Sequence, residues 1–147
     1  AASDVYKRQA QVPHSALHAI SQEMPDLTRK LWYATLLDAA IHRAWLFRMG
    51  RLDALGRVAH FLSETNVRLM AVGLSDGHSY AFGITQSDLA EICGLTSVHV
   101  NRVMRQLREE RLCTFRSGLV QITDPEGLVR RGQFDPGYLY MNKEKSA

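Results

Sequence analysis

The side chains in this sequence best suited to act on a partner are arginines. Arg102, Arg105 and Arg108 recur three residues apart, and Arg111, Arg116, Arg130 and Arg131 lie beyond them. From Thr96 to Arg131 these seven cations meet four acids, Glu109, Glu110, Asp124 and Glu126, so this stretch accounts for the chain's whole formal net charge of +3. All seven are arginine, whose planar guanidinium donates two parallel hydrogen bonds to a phosphate or to the O6 and N7 edge of guanine. That is the chemistry of recognition rather than of bond-making.

Other chemistries find less support in the residue types. Cys93 and Cys113 stand twenty apart without CxxC spacing, so no zinc site or cluster is expected. Cys93 reads as a small core residue. His14 and His18 form an i, i+4 pair, but neither a Glu nor a third ligand accompanies them, and no metal is expected. His60 reads as a partly buried neighbour of a helix. A Gly-rich phosphate loop is missing from the sequence, and neither a Ser/His/Asp set nor a carboxylate pair has a plausible cleft. The chain is therefore not expected to be an enzyme, and no cofactor is expected in it.

The elements that must position the arginines lie in Ile84–Arg111, ITQSDLAEICGLTSVHVNRVMRQLREER. Thr85 suits an N-cap, with Asp88 as its capping-box partner. Leu89, Ile92 and Cys93 share one face of a first short helix, and Gly94 ends it. Thr96 caps a second helix whose apolar face is Val100, Val103, Met104 and Leu107. Ser97, Val98, Asn101, Arg102, Arg105 and Arg108 fall on the other side. Two helices about a glycine turn, the second presenting polar and basic residues, is the layout of a helix-turn-helix DNA reader. The alternative is an ordinary helical hairpin with a solvated basic face.

At 147 residues, 46% of them hydrophobic, the chain can hold one packed domain and an appendage. Its longest apolar runs fall short of the ~20 residues a membrane helix needs, and the N-terminus lacks secretory character, so a cytoplasmic location without membrane contact is expected. Residues 1–9, AASDVYKRQ, look foreign to the rest of the chain and resemble translated adapter sequence; on that reading the true N-terminus is missing. Gln11–Glu23 predicts a short helix with Leu17, Ile20 and His14 inward. Pro25 and Asp26 suit the start of the next helix.

Asp26–Met49 predicts a long helix with two apolar stripes. One keeps a roughly seven-residue repeat through Leu27, Leu31, Ala34, Leu37 or Asp38, Ile41, Ala44 or Trp45, and Arg48; the other runs through Trp32, Leu36, Ala40 and Phe47. One stripe can pack on the chain's own body, and the other then needs a partner, which a second identical chain supplies. Burial of both stripes inside one domain is the alternative. Trp32, Trp45 and Phe47 are read as packing residues. Gly50 is expected to break the helix and act as a hinge. Leu52, Leu55, Val58, Ala59, Leu62, Leu69 and Met70 mark the next amphipathic helix. His78–Ile84 predicts a strand. Leu112–Arg116 and Leu119–Thr123 predict a hairpin turning at Ser117-Gly118, a wing with Arg116 near its tip. Asp124 and Pro125 open a last short helix ending near Arg131, Phe134–Tyr138 is a turn, and the Lys-rich tail is expected to be mobile. The expected fold is mainly α with a small β wing: a long dimerisation helix, then a winged helix-turn-helix domain.

The order of these elements, with the TSVHVNR core and its LREERL continuation, resembles the Crp/Fnr family of bacterial transcription regulators over about residues 11–135. The resemblance implies a homodimer with an N-terminal β-roll effector domain, a long dimerisation helix and a C-terminal winged helix-turn-helix. This sequence resembles only the later parts. The implied division is 1–10 foreign or disordered, 11–24 a remnant of the effector domain, 25–50 the dimerisation helix, 51–135 the DNA-binding domain and 136–147 a tail. Arg102 matches the family arginine that reads guanine. Ser97 and Val98 match two further base-reading positions, without the usual arginine and glutamate, so the preferred half-site should differ; Asn101 joins them on the exposed face. Gln86, Ser87, Thr96 and His99 match DNA-backbone contacts at the helix ends, with Thr85 and Arg105 beside them and Arg116 at the wing. The dimer seam expected from the stripe is Leu27, Leu31, Ala34, Leu37, Ile41 and Trp45. Double-stranded DNA, a second copy of the chain and RNA polymerase are the implied partners. The competing class is a winged-helix module for protein–protein contact.

Overall fold

In the computed structural model, residues 11–141 are described. The expectations for the first ten residues and for the tail from 142 onward lie outside the described residues. The chain divides between Ala39 and Ala40 into two units.

The first unit holds α1 (His14–Glu23) and the opening part of α2 (Pro25–Arg51), with Pro25 at the helix start as expected. The inner face predicted for α1 does not form: the helix buries no residue, His14 is exposed, Leu17 is 45% exposed and Ile20 is half-buried. Ten residues make under three turns, and what fixes the helix is polar. The Thr28 hydroxyl lies 3.2 Å from the Ile20 carbonyl oxygen and 3.1 Å from that of Met24. Along this part of α2, Leu31, Trp32, Tyr33 and Leu36 are exposed, Trp32 by 69%. Trp32 thus lies on a part of its stripe that the single chain leaves uncovered.

The second unit begins inside α2, which runs unbroken through Gly50 to Arg51, so the expected break at Gly50 does not occur. One glycine costs a helix only about 1 kcal/mol, less than the ladder around it supplies. The stop comes at Asp53, whose carboxylate accepts from the Gly56 N–H at 2.6 Å and caps α3 (Ala54–Met70). The Arg131 guanidinium, bonded at 2.8 Å, holds that carboxyl below its ordinary range.

β1 (Ser79–Ala81), α4 (Gln86–Ile92), α5 (Ser97–Glu109), β2 (Cys113–Arg116), β3 (Leu119–Ile122) and α6 (Pro125–Arg131) complete the domain. The sheet is antiparallel in the order β1-β3-β2. Its register aligns Tyr80, Val120 and Phe115 in one row across the three strands. All three are buried, and the Tyr80 hydroxyl donates to the Leu62 carbonyl of α3 at 3.1 Å. Strand alternation therefore sends one face of this small sheet into the core and leaves Ser79, Gln121 and Thr114 on the other. Leu55, Val58, Ala59 and Leu62 of α3 form the floor, Leu89 and Cys93 join from α4 and its C-cap, and Val100, Val103, Met104 and Leu107 from α5. The hairpin turns through Ser117 and Gly118, both at positive φ, as a two-residue connection matching strand twist requires.

The segment after α6 is more than the expected turn. Pro136–Leu139 forms a 3-10 helix, Phe134 and Leu139 are buried, and the packing extends past the boundary expected at 135. It closes over a polar cluster that the sequence reading missed. Glu64 of α3 is 1% exposed and accepts hydrogen bonds from Trp45 Nε1 (3.0 Å), Arg68 Nη1 (3.2 Å) and the Tyr138 hydroxyl (2.7 Å). Arg48, fully buried, stands with its guanidinium 4.9 Å from the Trp45 ring and 5.3 Å from the Phe61 ring. Aromatic faces attract a desolvated cation, while burial still lowers its pKa. His60 is fully buried, not partly: Nδ1 lies 2.9 Å from the Gly132 carbonyl. A carbonyl only accepts, so Nδ1 carries a proton, and burial lowers the imidazole pKa.

Candidate nucleic-acid interface

The predicted capping chemistry builds the two motif helices. Asp88 Oδ2 accepts from the Thr85 backbone N–H at 2.7 Å and the Thr85 hydroxyl accepts from the Asp88 N–H at 3.2 Å, a reciprocal box at the start of α4. The Thr85 N–H holds the Asp88 carboxyl below its ordinary range. The Thr85 hydroxyl also lies 2.8 Å from Asp88 Oδ2, so its proton is spent inside the chain. Gly94 comes directly after the α4 C-cap Cys93 at φ +61°, a left-handed turn that glycine adopts without Cβ strain. Thr96 then accepts from the His99 N–H at 3.2 Å and starts α5.

On α5 the division of faces is as expected. Val100, Val103, Met104 and Leu107 are buried, whereas Ser97, Val98, Asn101, Arg102, Arg105 and Arg108 are exposed. Val98 is 81% exposed, so its apolar side chain has no role in the core. His99 is half-buried beside it. α5 stands as a ridge between two grooves. One, about 470 Å³, is lined by Gln86, Asn101, Arg105 and Arg108 on one side and Thr114, Phe115 and Arg116 of the hairpin on the other. The second, about 430 Å³, is lined by His99, Arg102 and Gln106 with Asp53 and Arg131. The expected base-reading and wing arginines are therefore all at the surface, but Arg102 opens on a different side from Arg105 and Arg116. Gln86 reaches the wing: its amide lies 3.5 Å from the Phe115 carbonyl. Ser87 and Thr96 are exposed at the two helix starts.

The seam residues divide. Leu27 and Leu37 are half-buried, Leu31 and Ala34 exposed; Ile41 and Trp45 are half-buried in the second unit, where Trp45 is engaged by Glu64. Neither expected stripe is wholly inward or outward. The buried positions of α2 are Ala40 and Arg48, drawn one from each stripe.

The cysteines carry no reactive signature. Both are free and buried, and burial pushes the Cys93 thiol up to about 11 and Cys113 up to about 12. Among the described residues no group of three His, Cys, Asp or Glu is placed to hold a metal, and no helix is long and apolar enough to cross a membrane.

Sequence reasoning missed Arg57 altogether. Its Nε donates to the Leu52 carbonyl at 3.1 Å and its Nη1 to the Cys93 carbonyl at 3.3 Å. Nothing in the local sequence marks it, because its Cys93 partner lies 36 residues away on another helix end.

The model of a family described as the Crp-like helix-turn-helix domain matches residues 56–131. Among solved structures, FixK2 from Bradyrhizobium japonicum is similar at 25% identity with a TM-score of 0.69, over 81% of this chain and 58% of that one. A substituted form of CprK complexed with OCPA is similar at 16% identity and TM-score 0.58, over 79% of this chain and 53% of that one. The chain thus spans little more than half the length of either solved relative. Comparison with curated proteins finds no match.

Proposed function

The chain belongs to the Crp-like helix-turn-helix family of DNA-binding transcription regulators, and on that premise we propose that it binds a near-palindromic operator as a homodimer. The reading places α5 in the major groove of each half-site. The observation that carries it is the α5 ridge, exposed along Ser97, Val98, Asn101 and Arg102 and flanked by grooves lined with arginine. A helix in a major groove needs exposed side chains toward the bases and cations toward the phosphates on either side.

In this reading Arg102 donates to guanine O6 and N7, Asn101 suits adenine, and the bare Val98 side chain suits a thymine methyl. Ser97 serves either purine or pyrimidine. Arg105 and Arg116 face phosphates, with Gln86, Ser87, Thr96 and His99 at the helix starts. Thr85 contributes through α4 rather than through its hydroxyl, which Asp88 occupies. Two copies join through Leu27, Leu31, Ala34, Leu37, Ile41 and Trp45 of α2, which brings the two α5 helices ~34 Å apart, one turn of DNA. The work is cytoplasmic, uses no cofactor among these residues, and includes RNA polymerase as a further partner.

Selection from random duplex DNA tests the proposal. It should enrich a sequence with two inverted half-sites one helical turn apart, bound less tightly as salt rises. Failure to enrich any sequence, or affinity indifferent to salt, would overturn it and favour a protein partner for the same face.

A further inference from the structure

We infer that Arg57 is a positioning residue that fixes the recognition turn to the end of the long helix. The inference rests on the DNA-binding reading above, in that it concerns how α5 is aimed. The Arg57 guanidinium bridges two carbonyls, Leu52 O at 3.1 Å and Cys93 O at 3.3 Å. Leu52 comes directly after the last residue of α2, and Cys93 is the C-cap of α4. Helix C-termini leave carbonyls without intrahelical partners and carry partial negative charge, so one cation placed between two such ends satisfies both. The planar fork of arginine can meet two oxygens at once; the single ammonium of lysine holds no such fixed geometry.

A second contact lies at the same joint. A Cβ built on Gly94 would stand 2.4 Å from the terminal methyl of Met49, and 3.7 Å from Arg57 Nη1. The space that a side chain would fill at the recognition turn is thus filled by the last turn of α2. The positive φ is what calls for glycine at this position, and the flexible end of Met49 rests in the space beside it. Through Arg57 and Met49 the turn between α4 and α5 rests against the end of α2. A small tilt at this joint would alter the spacing of two α5 helices in a dimer while leaving each α5 surface intact.

The test compares Arg57→Ala and Arg57→Lys with the unaltered chain in two measurements. Hydrogen exchange on free protein should show faster exchange at Gly94–Val98 in both variants, with the β1 and β3 amides unchanged. Affinity should fall about tenfold for a full two-half-site duplex, the loss expected for roughly two modest hydrogen bonds. An isolated half-site should lose less than about threefold on the same scale. Equal losses on both duplexes, or exchange unchanged at the turn, would overturn the inference and reduce Arg57 to a surface ion. If the unaltered chain binds full and half sites alike, the dimer reading fails, and the exchange measurement alone decides the role of Arg57.

Discussion

The Tyr138 hydroxyl donates a 2.7 Å hydrogen bond to Glu64, joining the 3-10 turn Pro136–Leu139 to α3. Glu64 is buried at this point, and it also accepts hydrogen bonds from Trp45 of α2 and Arg68 of α3. One carboxylate thereby connects three separate parts of the second unit. Hydrogen bonds to a buried charged group are worth more than neutral ones, and removing the donor leaves the acceptor under-satisfied. Tyr138→Phe should therefore destabilise the chain by about 1.5–3 kcal/mol. DNA affinity should stay unchanged under conditions where the variant is folded. Urea denaturation checks the first part; a variant as stable as the unaltered chain would show that this bond contributes nothing.

His60 gives a pH dependence of defined sign. Burial lowers its pKa from the ordinary 6.5, against smaller raising effects of the Gly132 carbonyl and Glu64. The unfolded chain therefore takes up a proton near 6.5 that the folded chain does not. Stability contributed by this group is present above that pH, declines as pH falls below it, and levels off beneath the folded pKa. His60→Gln should reduce the slope of stability against pH just below 6.5. Unfolding measured at stepped pH checks it, and an identical slope in both proteins would assign the effect elsewhere.

Arg102 and Arg116 should separate by readout. Arg102→Ala should flatten base preference at one position of each half-site, a loss of about 1–3 kcal/mol in discrimination. Arg116→Ala should weaken all sequences alike and reduce the salt slope by about one unit. Repeating the duplex selection with each variant decides this; an Arg102→Ala motif identical to that of the unaltered chain would remove Arg102 from base reading.

The seam can be tested where it does not double as core. Leu31 is 44% exposed in the chain, so a charge there leaves the fold unaffected. In a parallel two-helix seam the same charge meets its copy across the two-fold axis. Leu31→Asp should sediment as a monomer with an unchanged melting temperature at high dilution. The unaltered chain should sediment as a dimer at tens of micromolar, and a monomer there would count against the seam itself.

Several features were legible in the sequence because short-range geometry determines them. Thr85 with Asp88, Gly94, Thr96, and Asp124 with Pro125 place helix ends by local hydrogen bonds and φ preferences, and all four sites form as read. The α5 faces come from 3.6-residue periodicity alone, which is why the exposed arginines could be named in advance. Gly50 misled because glycine lowers helix propensity without deciding where a helix stops; Asp53 decided that through a bond to Gly56. The long helix could not be oriented from its stripes, since two overlapping apolar repeats fit several rotations equally. Only the packing of Ala40 and Arg48 within the second unit chose one. The joint of Arg57 with Leu52 and Cys93, and the cluster of Arg48, Glu64, His60 and Tyr138, join residues from different elements. No periodicity or capping rule reaches across such distances. The sequence alone determined which face of α5 is polar and basic; tertiary contact between carbonyls, carboxylates and guanidinium groups decided how that face is held.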